Sequence, residues 1–141
     1  MTELQRHAEQ IYKEAIRRAL PDVAVKEVLK DFRPGSGRTL LIAVGKAAWQ
    51  MASAAMEAVN VDGGLVVTKY GHSRGPLPGL EILEAGHPVV DAASYAASER
   101  ALELVRGLGK EDSVLFLLSG GGSALFESSD LSLEEFQDIN R

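Results

Sequence analysis

An α/β protein, with helices layered on a mostly parallel sheet, is predicted by three features of the sequence. Apolar runs alternate with segments of helical periodicity. The two plainest runs, residues 40–44 and 114–118, are continuously apolar rather than alternating, and the runs lead into polar, glycine-bearing loops. Continuous apolarity suits strands covered on both faces, as in a parallel sheet. Alternation with helices supplies the crossover connections that parallel strands require.

Thr2 and Gln5 have the spacing of a capping box. Leu4, Ala8, Ile11, Ala15 and Ala19 then recur at three- and four-residue intervals, one face of a helix. Arg17 and Arg18 fall in its last turn, where cations complement the helix dipole. Pro21 marks the break, and a short second helix is predicted over 22–30. Arg33, Pro34, Gly35, Ser36 and Gly37 then read as a surface turn. Residues 40–44 form the first strand, and Gly45 and Lys46 lead into an alanine- and methionine-rich helix over 47–58. Trp49, Met51 and Met56 are read as core or interface packing on it. Gly63 and Gly64 precede a second strand at 65–68, and 69–76 is a loop with too many breakers for regular structure.

A third strand is predicted at 81–84, ending in Ala85, Gly86, His87 and Pro88. Asp91 is placed to cap a helix over 92–106, which Gly107 and Gly109 end. The run 114–118 is read as a buried strand passing into Ser119, Gly120, Gly121, Gly122 and Ser123. Ser132 and Glu135 make a second capping box, opening a helix barely begun at Arg141. Three or four strands make a small sheet with vulnerable edges. We therefore expect the chain to be the amino-terminal part of something larger or a truncated product.

The 141 residues fit one domain with a sizeable core. A formal charge of −5 argues against a general nucleic-acid surface, which needs a concentrated positive field. The absence of cysteine excludes disulfides, thiolate metal sites and a cysteine nucleophile. No apolar run approaches the length of a membrane span, the amino terminus lacks signal-peptide features, and a cytoplasmic protein is the default.

In a parallel sheet the loops after the strands emerge at one edge, where open α/β sheets bind ligands. Gly45 with Lys46, 69–74, 86–91 and 119–123 therefore converge on one site. Lys46, near a helix start, is locally unfavoured by the dipole unless an anion is shared there; the alternative is a solvent-facing lysine. A nucleotide P-loop does not explain it, because Leu40 replaces the first required glycine and Ala47 the Ser/Thr.

Gly120, Gly121 and Gly122, flanked by Ser119 and Ser123, suit an anion nest or a plain strand-to-helix turn. Leu125 breaks both the dinucleotide fingerprint and the hydrolase elbow. Lys69, His72 and Arg74 form either an anion-binding loop, with Arg74 as a bidentate fork, or a solvated surface. His87 is a proton-transfer group, a substrate donor, or a polar residue in a rigid turn. The spacing of His72, His87 and Asp91 supports no metal motif, and the metal ligands are unknown.

At these loops the sequence resembles the glycerate 2-kinase family. The similar segments are Val44-Gly45-Lys46-Ala47-Ala48, Thr68-Lys69-Tyr70-Gly71-His72, Glu84-Ala85-Gly86-His87-Pro88 with Asp91, and Ser119-Gly120-Gly121-Gly122-Ser123-Ala124-Leu125. The resemblance implies an incomplete Rossmann-like, three-layer domain over 1–141, with a second α/β domain absent from this chain. It implies transfer of the γ-phosphoryl group of ATP, with Mg²⁺, to the 2-hydroxyl of D-glycerate, giving 2-phosphoglycerate. Lys46 would be the catalytic charge. Gly45, Lys69, His72, His87, Ser119, Gly120, Gly121, Gly122 and Ser123 would hold substrate or nucleotide.

Relatives also carry a hydroxypyruvate reductase label, which no loop here supports. The fragment alone is expected to be inactive, because the second wall of the cleft is missing. A non-catalytic small-anion or phosphosugar-binding module is the alternative, and a remnant associating through exposed sheet edges, a homo-oligomer, is a third reading.

Overall fold

The structure, a computed structural model, describes residues 1–139. Helices α1 (Glu3–Arg18) and α2 (Pro21–Leu29) precede β1 (Thr39–Val44), α3 (Ala48–Ala58), β2 (Gly63–Lys69) and β3 (Leu80–Ala85). Then follow α4 (Ala92–Val105), β4 (Ser113–Leu118), α5 (Gly122–Leu125) and α6 (Leu133–Ile139). The four strands lie in the order β3-β2-β1-β4, and every pair is parallel.

Side-chain alternation along the strands splits the core into two layers. Leu41, Ala43, Val66 and Leu115 pack with Val25 and Leu29 of α2 and with Ala48, Met51, Ala52 and Ala55 of α3. Ile42, Val44, Leu65 and Val67 pack on the other face with Ala97 and Ala101 of α4 and with Leu125 of α5. This is the predicted three-layer arrangement. The many alanines of α3 let it lie close to the sheet. Gln50 Nε2 donates to Asp22 Oδ1 (3.0 Å), which ties α3 to α2.

The caps fall where the sequence predicts them. Thr2 and Gln5 form a capping box on α1, Asp91 and Ser94 one on α4, and Ser132 Oγ accepts from the Glu135 amide. Pro21 occupies the first turn of α2, where its missing N–H is harmless. The predicted last helix reaches to Arg141, whose position, with Asn140, lies outside the described residues.

One expectation is corrected. The strand read as buried, β4, sits at the sheet edge, and only Leu115 of its six residues is buried. Phe116 is 48% and Leu118 62% exposed, whereas all six residues of β1 are buried. Both strands are apolar; β1 has a neighbour on each side and a helix on each face, and β4 lacks one of each. Helix α1 forms where the spacing predicts it, and its apolar stripe buries nothing. Leu4, Ile11 and Ile16 are exposed. Its support is local: the capping box and the bonds from Arg17 and Arg18 to Glu14.

Candidate active site

Because all strands are parallel, the loops after β1, β2, β3 and β4 leave from one edge. The turns after β1 and β4 are joined through the backbone. Lys46 N–H donates to the Gly120 carbonyl (3.0 Å) and Ala47 N–H to Ser119 Oγ (3.1 Å), while Ser119 Oγ–H donates to the Val44 carbonyl (3.3 Å). Ser119 thus fixes the amide of Ala47, the residue that opens α3 without a side-chain cap. Gly45 has φ +118°, and a Cβ there would lie 2.2 Å from Ser119 Oγ and 2.6 Å from Ser119 O. Only glycine fits this crossing. From β2, buried Thr68 donates its hydroxyl to the Gly45 carbonyl (3.0 Å). His72 Nδ1 lies 3.2 Å from the Lys46 carbonyl, which requires the proton on Nδ1 and leaves Nε2 free of it in the neutral ring.

This scaffold aims the Lys46 side chain at Gly121. Gly121 has φ +92°, and a Cβ on it would lie 2.8 Å from Lys46 Cε and 2.9 Å from both Cδ2 and Nε2 of His87. Lys46, His87 and the middle glycine therefore meet at one point, although 75 positions separate the first from the last (121 minus 46).

Two carboxylates hold the neighbouring loops. Glu84 accepts from the Ser73 amide (3.0 Å), and this bond, with those from Gly71 and His72, keeps its carboxyl below the usual range. Asp91 accepts from Tyr70 Oη (2.9 Å), the Ser94 amide (3.0 Å) and the Gly86 amide. Burial pushes the Asp91 carboxyl up, but these bonds together outweigh it and leave the group more acidic than usual.

The acidic groups at this edge are thus occupied by amides and a phenol. Among the described residues, Lys46, Lys69 and Arg74 make no ion pair, unlike Lys26 with Glu57 or Arg100 with Glu81. His87 responds to this imbalance. Partial burial first, then the charges of Lys46, Lys69 and His72, lower its pKa and favour the neutral ring.

The remaining sequence-named groups are placed less centrally. Lys69 ends β2 and is half-buried. Gly122 is buried, and a Cβ on it would lie 2.6 Å from Leu118 Cδ1. Ser123 is exposed and lines a separate cavity of about 320 Å³ with Pro88, Val90, Glu127 and Gln137. Burial raises the Glu127 carboxyl pKa there.

Sequence reasoning missed Thr68, Tyr70 and Glu84. A threonine inside an apolar strand and a glutamate at a strand end were the available signals. Trp49 packs partly on the core, but its Nε1–H donates to the Gly75 carbonyl (2.8 Å) at the rim of a second pocket. No group of three or more His, Asp or Glu side chains that could hold a metal occurs among the described residues. No helix among them is long and apolar enough to cross a membrane.

The profile of a family described as a domain of unknown function, DUF4147, matches residues 7–141. The chain belongs to this family. A Thermotoga maritima protein named D-glycerate 2-kinase is 51% identical over 140 residues, covering 96% of this chain and 33% of its own. A Pyrococcus horikoshii glycerate 2-kinase is 41% identical, covering 72% of this chain and 23% of its own. The crystal structure of a Thermotoga maritima glycerate kinase superposes with a TM-score of 0.89 at 50% identity, over 96% of this chain and 33% of that one. As a DUF4147 member the chain thus spans about a quarter to a third of the length of these relatives, and the resemblance to glycerate 2-kinases and their α/β fold is established.

Proposed function

We propose that this chain is the Lys46-bearing part of an ATP-dependent phosphotransferase that converts D-glycerate to 2-phosphoglycerate. The observation that carries the reading is the meeting of Lys46, His87 and Gly121 at the carboxyl edge of the sheet. The relatives' names support the substrate. In phosphoryl transfer charge spreads over the phosphoryl oxygens, so catalysis rests on positioning and charge stabilisation. Lys46 supplies a positive charge that no carboxylate neutralises among the described residues, held by the hydrogen bonds of its backbone to Gly120 and His72. The missing side chain of Gly121 makes the room that Lys46 Cε and the His87 ring occupy. Gly120 and Gly121 amides face the phosphate oxygens, with Ser123 at the margin. Ser119, whose hydroxyl is committed to Ala47 and Val44, positions the loop.

In the reaction the 2-hydroxyl oxygen bonds to the γ-phosphorus while the bond from phosphorus to the β,γ-bridging oxygen breaks. The bonding pair leaves with ADP. The hydroxyl proton passes to His87 Nε2, whose neutral form burial and then the local positive charge favour. Lys69 and His72 add to the positive field, and Gly45 permits the crossing on which it all stands. Mg²⁺ would supply positive charge to the phosphates of ATP in such a transfer. The carboxylates nearest the site, Glu84 and Asp91, are engaged by amides, so the described residues offer no carboxylate cage for it.

The 141 residues make up the amino-terminal part of a Rossmann-like, cytoplasmic kinase domain, one wall of the cleft, and alone bind anions without useful turnover. Binding without turnover even when the rest of the enzyme is supplied would instead mark a non-catalytic module. By itself, the chain pairs with a second copy through the open edge of β4. The test is a chimera in which residues 7–141 replace the aligned third of the Thermotoga maritima enzyme. ATP-dependent formation of 2-phosphoglycerate, lost by about 10²–10³-fold in Lys46→Ala, is expected. Full activity in that variant refutes the reading.

A further inference from the structure

Beside the meeting point of Lys46 and Gly121 lies a second pocket, of about 270 Å³, between the first turn of α3 and the loop after β2. Lys46, Trp49, Gln50, His72 and Arg74 line it, and no carboxylate does. Arg74 lies over the Trp49 ring, its Cζ 6.0 Å from the centroid. The indole is itself fixed by its bond to the Gly75 carbonyl (2.8 Å). The loop carrying His72 and Arg74 is pinned by Glu84 through the Ser73 amide, and by His72 through the Lys46 carbonyl. The cations are thus held by aromatic and backbone contacts, with no side-chain anion to satisfy them.

We propose that this pocket binds the carboxylate of a small hydroxy acid, with Arg74 as the clamp. The inference rests on the phosphotransferase reading and names the acid's half of the site. A planar guanidinium matches a carboxylate with two parallel hydrogen bonds, and indole contact orients it at little entropic cost. The volume suits a three-carbon acid and is too small for a nucleoside triphosphate. Lys46 belongs to both the pocket and the Gly121 contact. An acid anchored on Arg74 therefore presents its hydroxyl toward the place where the phosphoryl group arrives.

Trp49 is the chain's one tryptophan, so its fluorescence reports on this pocket alone. In the 141-residue chain, D-glycerate is expected to change Trp49 emission saturably, and glycerol, which lacks the carboxylate, to leave it unchanged. Arg74→Gln should weaken the D-glycerate response at least tenfold, and Arg74→Lys should weaken it less. Inorganic phosphate should shift the Gly120 and Gly121 amide resonances equally in the parent and in Arg74→Gln. Absence of a D-glycerate response, an equal response to glycerol, or a response unchanged in Arg74→Gln overturns the carboxylate pocket. A phosphate response at the glycine amides that persists in that case leaves the phosphotransferase reading standing. Loss of the phosphate response alone counts against that reading and not against the pocket.

Discussion

The Lys46 side chain fills the space that a side chain on Gly121 would need: a Cβ there would lie 2.8 Å from Lys46 Cε. The glycine is therefore tied to the lysine twice, by the room it leaves and by its left-handed backbone, φ +92°. Gly121→Ala should destabilise the chain by about 1–2 kcal/mol through that backbone alone. It should also displace Lys46 and His87, so that phosphate no longer shifts the Gly120 amide. Urea unfolding and amide spectra check the two effects separately.

Thr68 is the hidden support of the same turn. Thr68→Val keeps the shape but leaves the buried Gly45 carbonyl without the hydroxyl it accepts from at 3.0 Å. The Ala48 amide still donates to that carbonyl (3.1 Å), so a loss of about 0.5–1.5 kcal/mol is expected in urea unfolding. An unchanged midpoint and slope would show that the bond is dispensable.

His87 should titrate below its ordinary value of 6.5, because burial and the charges of Lys46, Lys69 and His72 oppose its protonation. The unfolded chain then takes up the proton first. The contribution of His87 to stability is full above 6.5 and is lost as pH falls through the lower folded-state value. Imidazole proton shifts measure this directly. Lys46→Gln should move the titration upward, and bound phosphate should do the same.

Asp91 gives a second pH limb at lower pH. Its burial is outweighed by bonds from Tyr70, Gly86 and Ser94, and its folded carboxyl is more acidic than the ordinary 3.8. Stability from this group is complete above 3.8 and disappears as pH falls through the folded value. Asp91→Ala should flatten that limb. It should also cost about 0.5–2 kcal/mol at neutral pH through the lost cap of α4.

The row Val114, Phe116 and Leu118 is exposed along an unpaired strand edge. Sedimentation of the 141-residue chain should show association that rises with concentration. Phe116→Lys should shift it toward monomer, since a charge on an edge strand opposes pairing.

The sequence by itself determined what depends on neighbours a few positions away. The capping boxes at Thr2 and Asp91, Pro21 in the first turn of α2, and the continuous apolar runs of the strands all follow from local pattern, and the structure has them within a residue or two. Parallel pairing then made it legible that Gly45, Lys46, His87 and the glycine run share one edge.

The tertiary structure alone decided which apolar run is interior. The residues of β1 and β4 are equally hydrophobic, and burial depends on whether another strand lies alongside. It also decided that Thr68, Glu84 and Asp91 spend polar atoms on the backbone of neighbouring segments, while Lys46 and Arg74 have no carboxylate partner among the described residues. A hydrogen-bond partner 23 positions away, as Gly45 is for Thr68, leaves no periodic trace in the chain.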